Sequence, residues 1–156
     1  MCRNDIDNTV FEAIRKGTLP GSELVIGLVG PVGANLARVE NDLKVLFQEY
    51  GYVAESISVS SLIGEFVDVQ DYSGESEYAR IDALMTAGNK AREKTGENAI
   101  LALRAAHEIY SRRNENEEYG TLPTSWNAWI IKSLKRPEEV NALRRIYGNG
   151  FFLIGV

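Results

Sequence analysis

The sequence has a single cysteine, Cys2, and a single histidine, His107. A lone cysteine forms no intrachain disulfide and no Cys-based zinc site, which excludes both a disulfide scaffold and a zinc ribbon. Cys2 reads as a solvent-facing thiol. His107, in Ala105-Ala-His-Glu-Ile109, has no second ligand type at metal-binding spacing and reads as a structural or surface residue. Positive charge is also scarce. A net charge of -5 and a pI near 5.0 argue against a broad electrostatic grip on nucleic acid and leave room only for a local basic groove. No apolar run approaches the roughly 18 residues of a membrane span, and the N-terminal residues are polar. The expectation is a soluble, cytoplasmic protein with no membrane partner. Repeats and low-complexity segments are absent as well.

What is present suits one domain with a real core, since 44% of the 156 residues are hydrophobic. Thr9-Val-Phe-Glu12 has capping-box spacing and Gly17 is a stop signal, so a short helix is expected there, with Thr18 to Ser22 as linker. Residues 1–22 thus form a helix and linker, and 23–156 the main domain. Leu24 to Val29 is nearly continuous in apolar residues, as in a strand buried on both faces of a parallel sheet. The helix that follows carries Leu36, Val39, Leu43, Leu46 and Phe47 on one stripe, with Arg38, Glu40, Asp42 and Lys44 away from it.

Further along, Tyr52 to Ser60 reads as a second strand, and the acidic stretch from Glu65 to Tyr78 as irregular. Two helices follow, through Ile81, Leu84 and Met85 and then Ile100 to Ile109, separated by a turn at Thr95 to Asn98. The charged run Arg112 to Glu118 ends the second helix and leads into a loop with Gly120 and Pro123. Ala128 to Ile131 is a strand, Arg136-Pro-Glu-Glu139 opens a helix, and Phe151 to Ile154 is a last strand. Alternating strands and helices with right-handed crossovers predict an α/β fold of three layers around a mainly parallel sheet.

The first strand empties into Gly30-Pro-Val-Gly33, ahead of an amphipathic helix. This order suits a phosphate-binding loop, in which backbone N–H groups at a helix N-terminus cradle phosphate while a lysine and a hydroxyl serve charge and Mg²⁺. Here Gly33 is followed by Ala34 and Asn35, a degenerate Walker A without that charge or hydroxyl. Nucleotide binding, with or without Mg²⁺, is the expectation for Gly30, Pro31, Val32, Gly33, Ala34 and Asn35, and no catalytic or metal-binding residue is assigned. The alternative for the glycines is tight strand-to-helix packing. Lys90 and Arg92 are candidates for phosphate contact, against the plainer reading of a solvated helix end. Arg112-Arg113 and Arg144-Arg145 suit either solvated faces or a surface that meets RNA or a partner domain. Trp126 and Trp129 suit core or loop anchors better than base stacking.

The stretches Gly27 to Asn35, Met85 to Arg92, and Ile131 to Val140 continuing through Gly150 to Val156 together resemble the N-terminal, P-loop-kinase-like domain of the anti-phage deoxycytidylate deaminases. The similarity runs from about Glu23 to Val156. It implies a P-loop NTPase-like, nucleoside monophosphate kinase-like fold. It also implies a neighbouring zinc-dependent domain that converts dCMP or dCTP to dUMP or dUTP, depleting nucleotides during infection. The His-x-Glu and Pro-Cys-x-x-Cys motifs of such a domain are absent here, so any zinc would belong to a deaminase domain or subunit beyond this chain. The ending on apolar Phe151 to Val156 fits a fragment or split subunit bordering that domain.

By the same resemblance, Ser133 stands where a deoxynucleoside monophosphate kinase has an Asp, and Lys135 and Glu139 stand at the motif's Arg and Glu positions. Lys135 joins the nucleotide-binding candidates. The implied partners are nucleotide, the deaminase subunit, further copies of the chain and, in some members, an inhibitory noncoding RNA. The function expected is nucleotide sensing within such a deaminase. A stand-alone deoxynucleotide kinase and a non-binding assembly module are the alternatives.

Overall fold

The structure, a computed structural model, describes residues 23–69, 76–116 and 126–156. Cys2, the helix expected at Thr9 to Gly17, its linker, and the Gly120 to Pro123 loop lie outside the described residues. Four strands, β1 (Leu24–Val29), β2 (Val53–Ser58), β3 (Asn127–Leu134) and β4 (Phe151–Gly155), form one parallel sheet in the order β2-β3-β1-β4. The helices are α1 (Leu36–Glu49), α2 (Glu77–Thr95), α3 (Ile100–Asn116) and α4 (Pro137–Tyr147). The class is therefore α/β with a parallel sheet, as the alternation of elements predicts.

β1 and β3 are the inner strands, and both are apolar on both faces. Alternation sends Ile26, Leu28 and Ile130 to one side, where α1 covers them with Val39, Leu43 and Phe47. Val25, Trp129 and Ile131 face the other side, packed with Leu101 and Ile109 of α3 and Leu143 of α4. Helices therefore cover both faces of the sheet.

Several boundaries differ from the sequence reading. The second strand stops at Ser58, and Val59–Glu65 winds into a 3-10 segment that buries Val59, Leu62 and Ile63. Three apolar residues at that spacing are equally compatible with a strand's end. Beyond it, α2 begins at Glu77, inside the stretch read as irregular, where the Ser76 hydroxyl accepts the Ala79 N–H. α3 runs on to Asn116 because its arginines are paired within the chain. Arg112 bonds Glu108 and Glu55, each at 3.0 Å, and Arg113 engages Glu23. Arg112 and Arg113 thus act as internal ties rather than as a solvated face. Trp129 is buried and donates to Glu23 at 2.7 Å, whereas Trp126 is exposed and meets Tyr52 edge-on.

On α1 the predicted stripe is correct except at its margins. Leu46 is exposed, and Glu40 is buried although its charge argues for the outer face. Glu40 lies four residues after Leu36 and three before Leu43, so helical geometry puts it inside the stripe. Two lysines make that burial tolerable: Lys132 of β3 at 2.6 Å and Lys44 one turn on at 2.8 Å. Burial pushes the Glu40 carboxyl up, but the bonds from Lys132 and then Lys44 outweigh it and hold the pKa at about 2, down from 4.5.

A carboxylate held below its unfolded value stabilises the fold above about pH 4.5, and that contribution is lost as pH falls toward 2. Urea midpoints measured from neutral to strongly acidic pH should therefore fall across this window in the wild type. They should fall less steeply in Glu40→Gln. An unchanged acid limb in the variant refutes the assignment.

Candidate functional site

The connections set the place of a site. From β1 the chain passes over β3 to reach β2, whereas from β3 it passes over β1 to reach β4. Connections that diverge in opposite directions leave a crevice at the carboxyl ends of β1 and β3, where ligands of open parallel sheets bind. The segments that leave those two strands are Gly30 to Asn35 and Lys135-Arg136.

Gly30 to Asn35 is a β-turn followed by a helix cap. The Ala34 N–H donates to the Pro31 carbonyl at 3.1 Å, and Gly33 has φ of 90°, a conformation that favours glycine. No atom lies near the place a Gly33 side chain would occupy, so its backbone angle, not strand-to-helix packing, calls for glycine. Close packing is the reason at Gly30, where a Cβ would lie 2.8 Å from that of Ala34. Asn35 accepts the Arg38 N–H at 3.0 Å and caps α1. The N–H groups of Ala34, Leu36 and Arg38 are thus spent within the protein. Ala34 and Asn35, which follow Gly33 where a Walker A has its lysine and hydroxyl, serve the turn and the helix cap, and Leu36 opens α1 by packing on the sheet.

At the end of β3 the register slips: Leu28 pairs with Lys132, but Val29 pairs with Leu134. Ser133 is the extra residue, a bulge with φ of 70°. The bulge turns Leu134 into the core on the α3 and α4 side and leads straight into Lys135-Arg136.

Behind this ridge stands Glu139, fully buried in the first turn of α4. Its Oε2 accepts the N–H groups of Lys135 at 2.8 Å and Arg136 at 3.1 Å. Its Oε1 accepts Arg92 Nη2 of α2 at 2.7 Å. Arg92 is therefore neither a solvated helix end nor an open phosphate ligand, but the buried partner of a carboxylate. Asn89 Oδ1 accepts both Arg136 Nη2 at 3.0 Å and Arg92 Nη1 at 3.4 Å, which joins α2 to the ridge a second time.

Two clefts flank the ridge, and Lys135 and Arg136 line both. The loop cleft, about 660 Å³, also takes in Gly30, Pro31, Asn141 and Arg144. The helix cleft, about 450 Å³, lies between the 3-10 segment and α2 and takes in Ser60, Arg80, Asn89, Arg92 and Ser133. Of the residues expected from sequence, Gly30, Pro31 and Lys135 meet at the loop cleft, and Arg92 and Lys135 at the helix cleft. Val32, Gly33, Ala34, Asn35 and Lys90 line neither. Sequence reasoning missed Arg80, Asn89 and Arg136, and read Arg144 as a solvated face or a surface for RNA or a partner domain rather than as a cleft residue. The available signal was Arg136 following Lys135, and Arg144 two turns beyond it on the same face of α4.

Among the described residues, no aspartate or glutamate lines either cleft, and no group of three His, Cys, Asp or Glu could hold a metal ion. No helix of the described residues is long and apolar enough to cross a membrane. No protein-family model, no curated protein and no solved structure matches the chain.

Removing the Glu139 charge strands Arg92 as an uncompensated buried cation, which costs about 3 kcal/mol or more. Glu139→Gln should therefore lower the urea unfolding free energy by about that amount. Asn35→Ala, which removes only the α1 cap, should cost about 1 kcal/mol. Equal losses in the two variants would refute the central role given to Glu139.

Proposed function

We propose that this chain is a P-loop-like, nucleotide-sensing domain that binds a phosphorylated ligand at the carboxyl ends of β1 and β3 without transferring its phosphoryl group. The observation that carries the reading is the Lys135-Arg136 ridge, shared by two clefts that no carboxylate side chain lines among the described residues, in a chain of net charge -5. Cationic side chains concentrated in a crevice of an acidic protein attract anions. Transfer needs more, namely a held Mg²⁺ and charge on the moving phosphoryl group. The positions that would supply them carry Ala34, Asn35 and Ser133.

The resemblance in Gly27 to Asn35, Met85 to Arg92 and Ile131 to Val140 supports a finer reading. In it the chain regulates a deoxycytidine nucleotide deaminase whose zinc chemistry lies in another domain or subunit, and the phosphate ridge reports nucleotide level to that partner. A non-binding assembly module is the outcome if no nucleotide binds.

Calorimetric titration of the chain with dCTP, dCMP and ATP tests this. Saturable binding without turnover is expected, and Lys135→Ala with Arg136→Ala should weaken it by about tenfold or more. Transfer of phosphate from ATP to a deoxynucleoside monophosphate overturns the sensor in favour of a kinase. Absence of binding by every nucleotide overturns both.

A further inference from the structure

The helix cleft carries an apolar wall beside its cations, as the loop cleft also does through Val29, Pro31, Leu134 and Val140. Ile63 of the 3-10 segment, Ile81, Leu84 and Met85 of α2, and Leu101 of α3 form the wall of the helix cleft. The cations of this cleft are Arg80 and Arg92, from the same helix α2 as Ile81, Leu84 and Met85, and Lys135 and Arg136 from the ridge. Two of these cations already have carboxylate partners, Arg80 with Glu77 and Arg92 with Glu139. Lys135 and Arg136 have no ion-pair partner among the described residues, which leaves two positive charges to match. A phosphomonoester carries about -1.5 to -2 at neutral pH.

Hydrogen-bonding chemistry points the same way. Asn89 Oδ1 is taken up by two arginines, so its NH₂ is the end left to donate. Arg92 lines the cleft with its Nε buried and without a hydrogen-bond partner. A buried N–H left unpaired costs about 1–3 kcal/mol, a cost that an acceptor from a ligand removes. The cleft thus combines donors, a charge of two and an apolar wall in about 450 Å³, within the size range of small-molecule sites. Mg²⁺ at a phosphate site is usually held through one or two carboxylates as well as the ligand's own oxygens, and none lines this cleft among the described residues.

We propose that the helix cleft binds a ring-bearing phosphomonoester, of the nucleoside monophosphate class, as the free anion without a divalent cation. This rests on the nucleotide reading above and assigns the part of the crevice that takes the ring. The ring packs on Leu84 and Met85, Asn89 donates to it, and the phosphate lies on Lys135 and Arg136.

The test is titration of the chain with deoxycytidine and adenosine monophosphates and with inorganic phosphate, each with EDTA and with excess Mg²⁺. Met85 is half exposed, so Met85→Asp and the uncharged, cleft-filling Met85→Trp should both leave the fold intact, as circular dichroism will verify. Both should weaken monophosphate binding by about tenfold or more and the uncharged Met85→Trp should leave inorganic phosphate binding unchanged, while Arg144→Glu in the loop cleft does not weaken the monophosphate. Affinity should be the same with EDTA as with Mg²⁺. Monophosphate binding insensitive to both Met85 variants but lost in Arg144→Glu overturns this assignment and keeps the nucleotide reading. A requirement for Mg²⁺ overturns the free-anion form. Failure of every nucleotide to bind the wild type overturns both readings.

Discussion

One buried carboxylate organises the carboxyl end of this sheet. Glu139 spends one oxygen on the Arg92 guanidinium and the other on two successive backbone N–H groups at the exit of β3. Helix α2, the strand end and the first turn of α4 are joined through that single side chain, none of whose surface reaches solvent. A buried ion pair of this kind contributes little net stability compared with an apolar replacement, because desolvation opposes its attraction. Its worth lies in direction. It fixes where Lys135 and Arg136 leave the strand, and the two clefts exist in their present form because the ridge between them is held from behind.

The electrostatic layout follows from that arrangement. On and around α3 three arginines are tied down: Arg104 to Glu65 and Glu108, Arg112 to Glu108 and Glu55, Arg113 to Glu23. These pairs brace the 3-10 segment and the edge strand β2 against α3, so one wall of the helix cleft is anchored at a distance from the ligand-facing side. Lys94 adds a bond to the Phe66 carbonyl just past the 3-10 segment. Lys135, Arg136 and Arg144, which have no ion-pair partner among the described residues, stand together at the switch between the sheet's diverging connections. An acidic chain with spare positive charge gathered at one crevice needs no overall basic character to attract a small anion.

Much of the fold was legible in the sequence. The apolar run from Leu24, the stripe on α1 and the Pro137 to Glu139 helix opening are local patterns, and local patterns survive into the structure. Three things were not legible, each because it depends on distant partners. Glu40 is placed inward by helical periodicity but is made tolerable there by Lys132, whose nearness depends on strand pairing. Arg92 reads as a helix-end cation until Glu139, far along the chain, arrives beneath it. The turn from Gly30 was legible as glycines in order, yet the use of its N–H groups was not. Its turn and the Asn35 cap consume donors that the motif alone leaves open. The two clefts instead share the neighbouring ridge, of which the sequence reading had named Lys135 as a binding candidate.

The extra residue at Ser133 has a consequence for how this protein can change over evolutionary time. A strand reads its side chains alternately to two sides, so a bulge acts as a frameshift in space: everything after it is delivered to the opposite face. With Ser133 in place, Leu134 fills the interior and the basic pair emerges at the crevice. Loss of that one residue would exchange these destinations even though every chemically distinctive side chain remained. A β-branched or bulky residue at position 133 would strain its φ of 70°, and a change in the length of this strand would be more severe still. At this strand end spacing decides the outcome before side-chain chemistry does.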